Sequence, residues 1–178
     1  MILLSGGIDS AACVHFLRSQ DLSVSGLFVN YGQAALSPER RAAKRISSFL
    51  NIDLQEIVLR GTKDFGSGEI VGRNAALIFA ALMHAPRPPV SIALAIHAGT
   101  PYYDCSRLFV RRVSSLVSEY TNGRCALLTP FLSWSKREIV GYATEFNLPL
   151  SITYSCERGN IPPCGHCLSC QDRRALSV

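Results

Sequence analysis

The chain has 178 residues, with 18 Lys and Arg against 13 Asp and Glu, a net charge of +5 and an apolar fraction of 48 %. Charged residues make up only 17 %, which excludes a highly charged disordered chain, and no apolar run is long enough for a helical membrane span. The basic residues are scattered (Arg40, Arg41, Lys44 and Arg45; Arg111 and Arg112; Arg173 and Arg174), so charge alone does not make nucleic acid an expected partner. Short β-rich runs alternate with helical patterns along the chain. Candidate strands are Met1–Leu4, Ser23–Val29, Leu54–Leu59, Val90–Ile96 and Cys125–Leu128. Candidate helices lie near Asp9–Gln20, Pro38–Leu50, Arg73–His84 and Asp104–Tyr120, with another from Ser135 to just before Asn147. This rhythm predicts an α/β fold: a parallel sheet with helices on both faces and ligands beyond the carboxyl ends of the strands. Length predicts one domain over residues 1–178, and Gly66-Ser67-Gly68 is the most flexible-looking stretch. Met1–Leu4 runs directly into a glycine-rich loop with no charged leader or cleavage site, so the expected location is the cytoplasm. Val178 closes the chain just beyond a cysteine cluster, and no accessory domain is expected after it.

Ser5-Gly6-Gly7-Ile8-Asp9-Ser10 sits between the first strand and the first helix. A glycine turn at a helix N-terminus exposes backbone N–H groups to an anion. Gly6 and Gly7 would allow close approach, and Ser5 and Ser10 would add hydroxyls. The Gly-Lys-Ser/Thr ending of the common phosphate loop is absent. A plain glycine turn with a capping side chain is the competing reading.

Near the other end, Cys156, Cys164, Cys167 and Cys170 occur as C-x7-C-x2-C-x2-C. Four thiols so close together are the ligand set of a closed, structural zinc site. Disulfides are the alternative, and the expected reducing compartment disfavours them. His166 lies inside the cluster, but four thiolates already satisfy zinc. Cys13 and Cys125 read as small buried hydrophobes, and Trp134 and the Phe residues read as packing.

The motif S-G-G-x-D-S at Ser5–Ser10 resembles the PP-loop of ATP pyrophosphatases. That resemblance implies a Rossmann-like, adenine nucleotide alpha hydrolase-like fold, ATP as cosubstrate, and Asp9 helping to hold Mg2+ beside the phosphates. Further elements follow in order: Tyr31-Gly32-Gln33, Gly72-Arg73-Asn74, Asp104-Cys105, Thr129-Pro130 with Lys136, Thr153-Tyr154-Ser155-Cys156, and Cys164–Cys170. Together they resemble the 7-cyano-7-deazaguanine synthase (QueC) family over nearly the whole chain. The resemblance implies a ligase that adenylates 7-carboxy-7-deazaguanine and admits ammonia, giving an amide and then a nitrile. By this likeness Asp9, Ser10 and Lys136 are catalytic, and Ser5, Gly6, Gly7, Tyr31 and Gln33 join Asp9 and Ser10 at the nucleotide. Arg73, Asn74, His97, Asp104 and Cys105 fall to the substrate, and the zinc-binding segment is 153–178. For Tyr31 and Gln33 a simple turn competes with nucleotide contact, and for Lys136 a solvated helix cation competes. His97 could equally be a packed histidine, and Asp104 could serve only as an N-cap.

The chain departs from the family in three places. The stretch between Leu59 and Arg73 is short, Ser106 stands where the family has Arg, and Asn30, Ala34 and Ala35 replace an acid and two polar or basic residues. QueC-like proteins also occur in bacterial anti-phage operons, where the family relation implies transfer to a protein amine. A shorter lid suits so bulky an acceptor. A PP-loop tRNA sulfurtransferase is the remaining enzyme class, and it would need a catalytic cysteine or an iron–sulfur site. The sequence does not set the oligomeric state; apolar helix faces in this fold often bury against a second copy, which leaves a homodimer open.

Overall fold

A computed structural model describes residues 1–60, 65, 68–85, 90–97 and 99–178; Gly66 and Ser67 lie outside the described residues. Five strands form one sheet: β1 (Ile2–Leu3), β2 (Gly26–Asn30), β3 (Leu54–Val58), β4 (Val90–Ala93) and β5 (Cys125–Leu128). Their order is β3-β2-β1-β4-β5, and every pairing is parallel. Ile2 is in register with Gly26 on one side and Ala93 on the other, which makes β1 the central strand. The strand order reverses direction between β1 and β4, so the chain leaves the sheet there in opposite senses and opens a crevice beyond the strand ends.

The helices are α1 (Ile8–Arg18), α2 (Leu36–Phe49), α3 (Arg73–His84), α4 (Arg107–Thr121), α5 (Lys136–Glu145) and α6 (Leu168–Ala175). Side chains alternate across the sheet with the two-residue period of a strand. Ile2, Leu4, Phe28 and Ala93 pack with α1, α2 and α5, through residues such as Val14, Ile46 and Ile139. Leu3, Leu27, Val29, Ile92 and Leu94 pack on the other face with Ile78 of α3 and Val113 and Val117 of α4. Buried on both faces, these strands read as continuous apolar runs, as parallel strands do. Phe16, Phe131, Trp134 and Tyr142 form a ring cluster at one end of the first layer, and Cys13 and Cys125 are buried.

The structure adjusts several expected boundaries. α2 begins at Leu36 and takes Pro38 into its first turn, where a missing N–H costs nothing because no carbonyl awaits it. Ser135 caps α5 in a reciprocal box with Glu138, which fixes that helix where expected. Asp104 does not head a helix. A 3-10 turn over Tyr103–Cys105 comes first, and the N-cap of α4 is Ser106, whose hydroxyl accepts from Phe109 N–H. No helix among the described residues is long and apolar enough to cross a membrane.

Candidate functional site

A cavity of about 380 Å3 opens at the reversal point of the sheet. That volume suits a nucleotide-sized ligand. The loop after β1 contributes Ser5, Gly7, Asp9 and Ser10, the loop after β4 contributes His97, and the start of α5 contributes Lys136. Tyr31, Gln33 and Glu39 come from the turn after β2 and the start of α2, and Arg73, Asn74 and Cys105 come from the α3 side. Residues far apart in sequence thus meet because parallel strands send all their carboxyl ends to one edge.

The two glycines of the loop have different tasks. Gly6 adopts φ +88°, and a Cβ there would lie 2.6 Å from Glu39 O and 2.9 Å from the Ala42 Cβ. It is therefore held against α2 by packing on the side where a Cβ would stand. Gly7 caps α1 with an ordinary extended backbone (φ −81°). A Cβ on Gly7 would meet only Ser5 Oγ at 3.6 Å and Tyr154 O at 3.8 Å, so its openness faces the cavity and not the fold. Ser10 is buried and donates to Gly7 O at 3.0 Å, while Ser5 Oγ donates to Ser10 Oγ at 3.3 Å and accepts from Gly7 N–H. These hydroxyls shape the loop around the helix N-terminus.

Lys136 opens α5, and its ammonium lies 2.5 Å from Asp9 Oδ1. Both side chains are about a fifth exposed (20 % and 23 %), so this cation is not on a solvated helix face. His97 stands 3.8 Å from the other Asp9 oxygen. Its Nδ1 accepts from Gly99 N–H at 3.0 Å, which places the proton of the neutral ring on Nε2, toward Asp9. Burial pushes the imidazole below its ordinary value, and the Asp9 carboxylate only partly offsets it. A carboxylate, an ammonium and a neutral imidazole thus converge beside the helix N-terminus.

On the α3 side the polar groups mostly satisfy one another. The carboxylate of Asp104 accepts from Asn74 N–H at 3.0 Å, and Asn74 Nδ2 donates to Asp104 O at 3.1 Å. Asn74 and Asp104 are both buried, and Asp104 does not line the cavity. Cys105 does line it, with its thiol pushed up to about 11 by burial and by the Asp104 carboxylate. A thiol so held stays protonated near neutrality and is a poor nucleophile. Gln33 spends its amide on the turn after β2: it donates to Val29 O and Glu39 Oε2 and accepts from Tyr31 N–H. Arg73 reaches the Tyr31 hydroxyl.

The four thiols come together as the spacing predicts. All four sulfurs lie within 4.8 Å of one another, with Cys164 and Cys170 3.9 Å apart. Tetrahedral zinc with Zn–S bonds of about 2.3 Å needs edges of about 3.8 Å, so the donor set fits that ion. Cys164 N–H points at Cys156 Sγ and Cys167 N–H at Cys164 Sγ. Burial raises the Cys156 thiol, but N–H donors from Cys164, Arg158 and Asn160 outweigh it and lower the group overall. His166 is exposed, bonded to Arg158, and outside the sulfur cluster.

The family model for queuosine biosynthesis protein QueC matches residues 1–85 and 69–176. The chain belongs to the QueC family. Its relatives include proteins named 7-cyano-7-deazaguanine synthase. That of Campylobacter jejuni subsp. jejuni serotype O:6 (strain 81116 / NCTC 11828) is 24 % identical over 199 residues, covering 96 % of this chain and 89 % of the relative. That of Sulfurihydrogenibium sp. (strain YO3AOP1) is 28 % identical over 205 residues, covering 97 % and 91 %. That of Persephonella marina (strain DSM 14350 / EX-H1) is 29 % identical over 203 residues, covering 97 % and 89 %. The solved structure of NMN synthetase from Francisella tularensis superposes on 85 % of this chain and 62 % of its own at 13 % identity, with a TM-score of 0.42.

Within this QueC-family cavity, sequence reasoning missed two groups of residues. Glu39 lies on the wall with its carboxyl raised by burial, against the pull of the Gln33 amide and Arg73. As a lone acid beside Arg40 and Arg41 in an amphipathic helix, it gives no signal of its position. The second group comes from the cysteine segment, where Tyr154, Ser155, Glu157, Leu168, Ser169, Asp172 and Arg173 all line the cavity. That segment, read from sequence as a fastening for the chain end, is also a wall of the site.

Proposed function

We propose that this chain is an ATP-dependent ligase of queuosine biosynthesis that activates the carboxylate of 7-carboxy-7-deazaguanine and joins it to a nitrogen nucleophile. The observation that carries this reading is the Lys136–Asp9 pair beside Gly7 and Ser10, at the reversal point of the sheet, on a chain of the QueC family. Residues 1–178 act as one PP-loop domain, with zinc held by Cys156, Cys164, Cys167 and Cys170.

In the first step a carboxylate oxygen attacks the α-phosphorus of ATP. The bond from that phosphorus to the bridging oxygen breaks, and pyrophosphate leaves. Charge builds on the leaving group, and Lys136 together with the N–H groups of the α1 terminus neutralises it. Mg2+ held by Asp9 would supply further charge to the phosphates. Ammonia then attacks the acyl carbon of the adenylate, AMP departs and a proton is lost, leaving the amide. The amide oxygen attacks a second ATP with loss of pyrophosphate. Departure of AMP and of the nitrogen-bound protons then gives the nitrile. Tyr31 takes the nucleotide contact while Gln33 shapes its turn. Arg73 and neutral His97 face the acid, and Asn74, Asp104 and Cys105 hold the wall behind it.

A second reading of the acceptor has its own support. The 199 aligned positions with the Campylobacter relative hold 96 % of a 178-residue chain, so the relatives carry internal residues that this chain lacks. The family match also comes in two segments that meet within residues 69–85, next to the short stretch before Arg73. A cavity with less covering chain suits a protein amine, as in the anti-phage relatives of the family. Pyrophosphate release from ATP, measured with 7-carboxy-7-deazaguanine and Mg2+, tests the shared first step. The wild type should release it; Asp9→Ala and Lys136→Met should lose a hundredfold or more, on the order of one well-placed charge in a dry site. Release that is unchanged in both variants would refute the assignment.

A further inference from the structure

The cysteine segment reaches the phosphate loop through an unbroken set of contacts. Cys167 caps α6 and Cys170 lies in its first turn, so the four-sulfur cluster fixes where α6 sits. Arg173, one turn further on, is half-buried on the cavity wall. Its guanidinium donates to Thr153 Oγ1 at 2.9 Å, Ser155 Oγ at 3.4 Å and Leu150 O at 3.2 Å. Between Thr153 and Ser155, Tyr154 N–H donates to Gly6 O at 2.9 Å. Gly6 is the residue in the left-handed conformation that sets the path of the loop. A second strut runs from the same segment: a Cβ on Gly159 would lie 2.3 Å from Ala34 O, so this backbone rests directly on the turn after β2.

We infer that Arg173 is a positioning residue of the nucleotide site, and that the metal-held α6 sets the phosphate loop through it. Arg173 clamps the 150–155 segment from one side, which holds the Tyr154 N–H at the Gly6 carbonyl and orients the loop's N–H groups for phosphate. A fork that spans a carbonyl and two hydroxyls is needed for this; a point charge is not enough, so Lys cannot replace Arg. The sheet and α1 to α5 draw little on this linkage: no residue of α6 is among the buried members of either apolar layer, and only Leu176 and Val178 beyond it pack on the edge of the first. Loss of the metal therefore disables nucleotide binding before it unfolds the protein. This inference rests on the nucleotide-site reading proposed above.

The test uses the full zinc-loaded chain and calorimetric binding of a non-hydrolysable ATP analogue with Mg2+. Zinc content and far-ultraviolet circular dichroism are measured on each sample. Chelation should weaken the analogue about tenfold or more, roughly the loss of one oriented hydrogen bond to the ligand, and zinc should restore it. The dichroism should keep the signature of the sheet and five helices throughout. Arg173→Ala and Arg173→Lys, with zinc still bound, should both show the weakened affinity. Wild-type affinity in the chelated protein, or in Arg173→Ala with zinc bound, would overturn the inference. Recovery by Arg173→Lys would overturn the positioning role in favour of simple charge. Failure of the zinc-loaded wild type to bind the analogue would remove the nucleotide reading itself, and this inference with it.

Discussion

Replacing Gly6 and Gly7 in turn by Ala separates a glycine the fold needs from one a ligand would need. At Gly6 the added Cβ stands 2.6 Å from Glu39 O and 3.0 Å from Ala43 N, both of them backbone atoms that α2 cannot readily move. The left-handed φ of +88° adds a cost of about 1–2 kcal/mol for any residue with a Cβ. Overlap with packed backbone adds about 1–3 kcal/mol. Gly6→Ala should therefore lose roughly 2–5 kcal/mol of stability, a large part of what a domain of this size has. At Gly7 the backbone is in a common region and no protein atom comes closer than 3.6 Å. Gly7→Ala should change stability by less than about 1 kcal/mol, and could gain a few tenths by restricting the unfolded chain. The same methyl would stand in the cavity, so it should weaken an ATP analogue while leaving the fold intact. Urea denaturation gives the stabilities and calorimetry gives the affinities. Equal stability of the two variants, or undiminished nucleotide affinity in Gly7→Ala, would refute this division of labour.

Other consequences follow from the buried polar groups. Burial raises the Glu39 carboxyl; since its folded value lies above its unfolded one, its share of stability is full below the unfolded carboxyl range and is lost as pH rises through the folded value. Glu39→Gln should therefore raise the urea midpoint more at pH 8 than at pH 4; equal gains would contradict the burial argument. Asp104→Ala should cost about 1–3 kcal/mol, because the Asn74 N–H loses its acceptor in a buried site, and the cost should show in urea denaturation without ligand. Removing the caps by Ser106→Ala or Ser135→Ala should cost about 1 kcal/mol each, again by denaturation midpoint. Cys164→Ser should lower zinc content by elemental analysis, since three thiolates hold the ion less tightly than four.

Much of this was legible from residue patterns because several local signals agree. The span of α3 and that of β5 follow from apolar periodicity, and the Ser135–Glu138 box marks the start of α5. The glycine-rich loop at Ser5–Ser10 and His97 could be placed at strand ends because a parallel sheet collects those ends at one edge. Cysteine spacing announced the sulfur cluster. What stayed hidden depends on tertiary packing. Asp104 looks like a helix cap, yet the chain takes a 3-10 turn and lets Ser106 cap instead, which frees Asp104 to meet Asn74 from another helix. The helix α6 is only eight residues long and mostly polar, with Cys170 its one buried residue, so no apolar run announces it. Arg173 and Glu39 are indistinguishable in sequence from solvated helix charges. Only the fold shows that both line the cavity.

The measurement that bears most directly on the central claim is mass spectrometry of the products formed from 7-carboxy-7-deazaguanine, ATP and Mg2+, with ammonia in one reaction and a candidate protein amine in the other. The account predicts AMP and pyrophosphate in stoichiometry with a deazaguanine amide or nitrile, or with a deazaguanine adduct on the protein. Formation of neither AMP nor any modified deazaguanine in both reactions would contradict it.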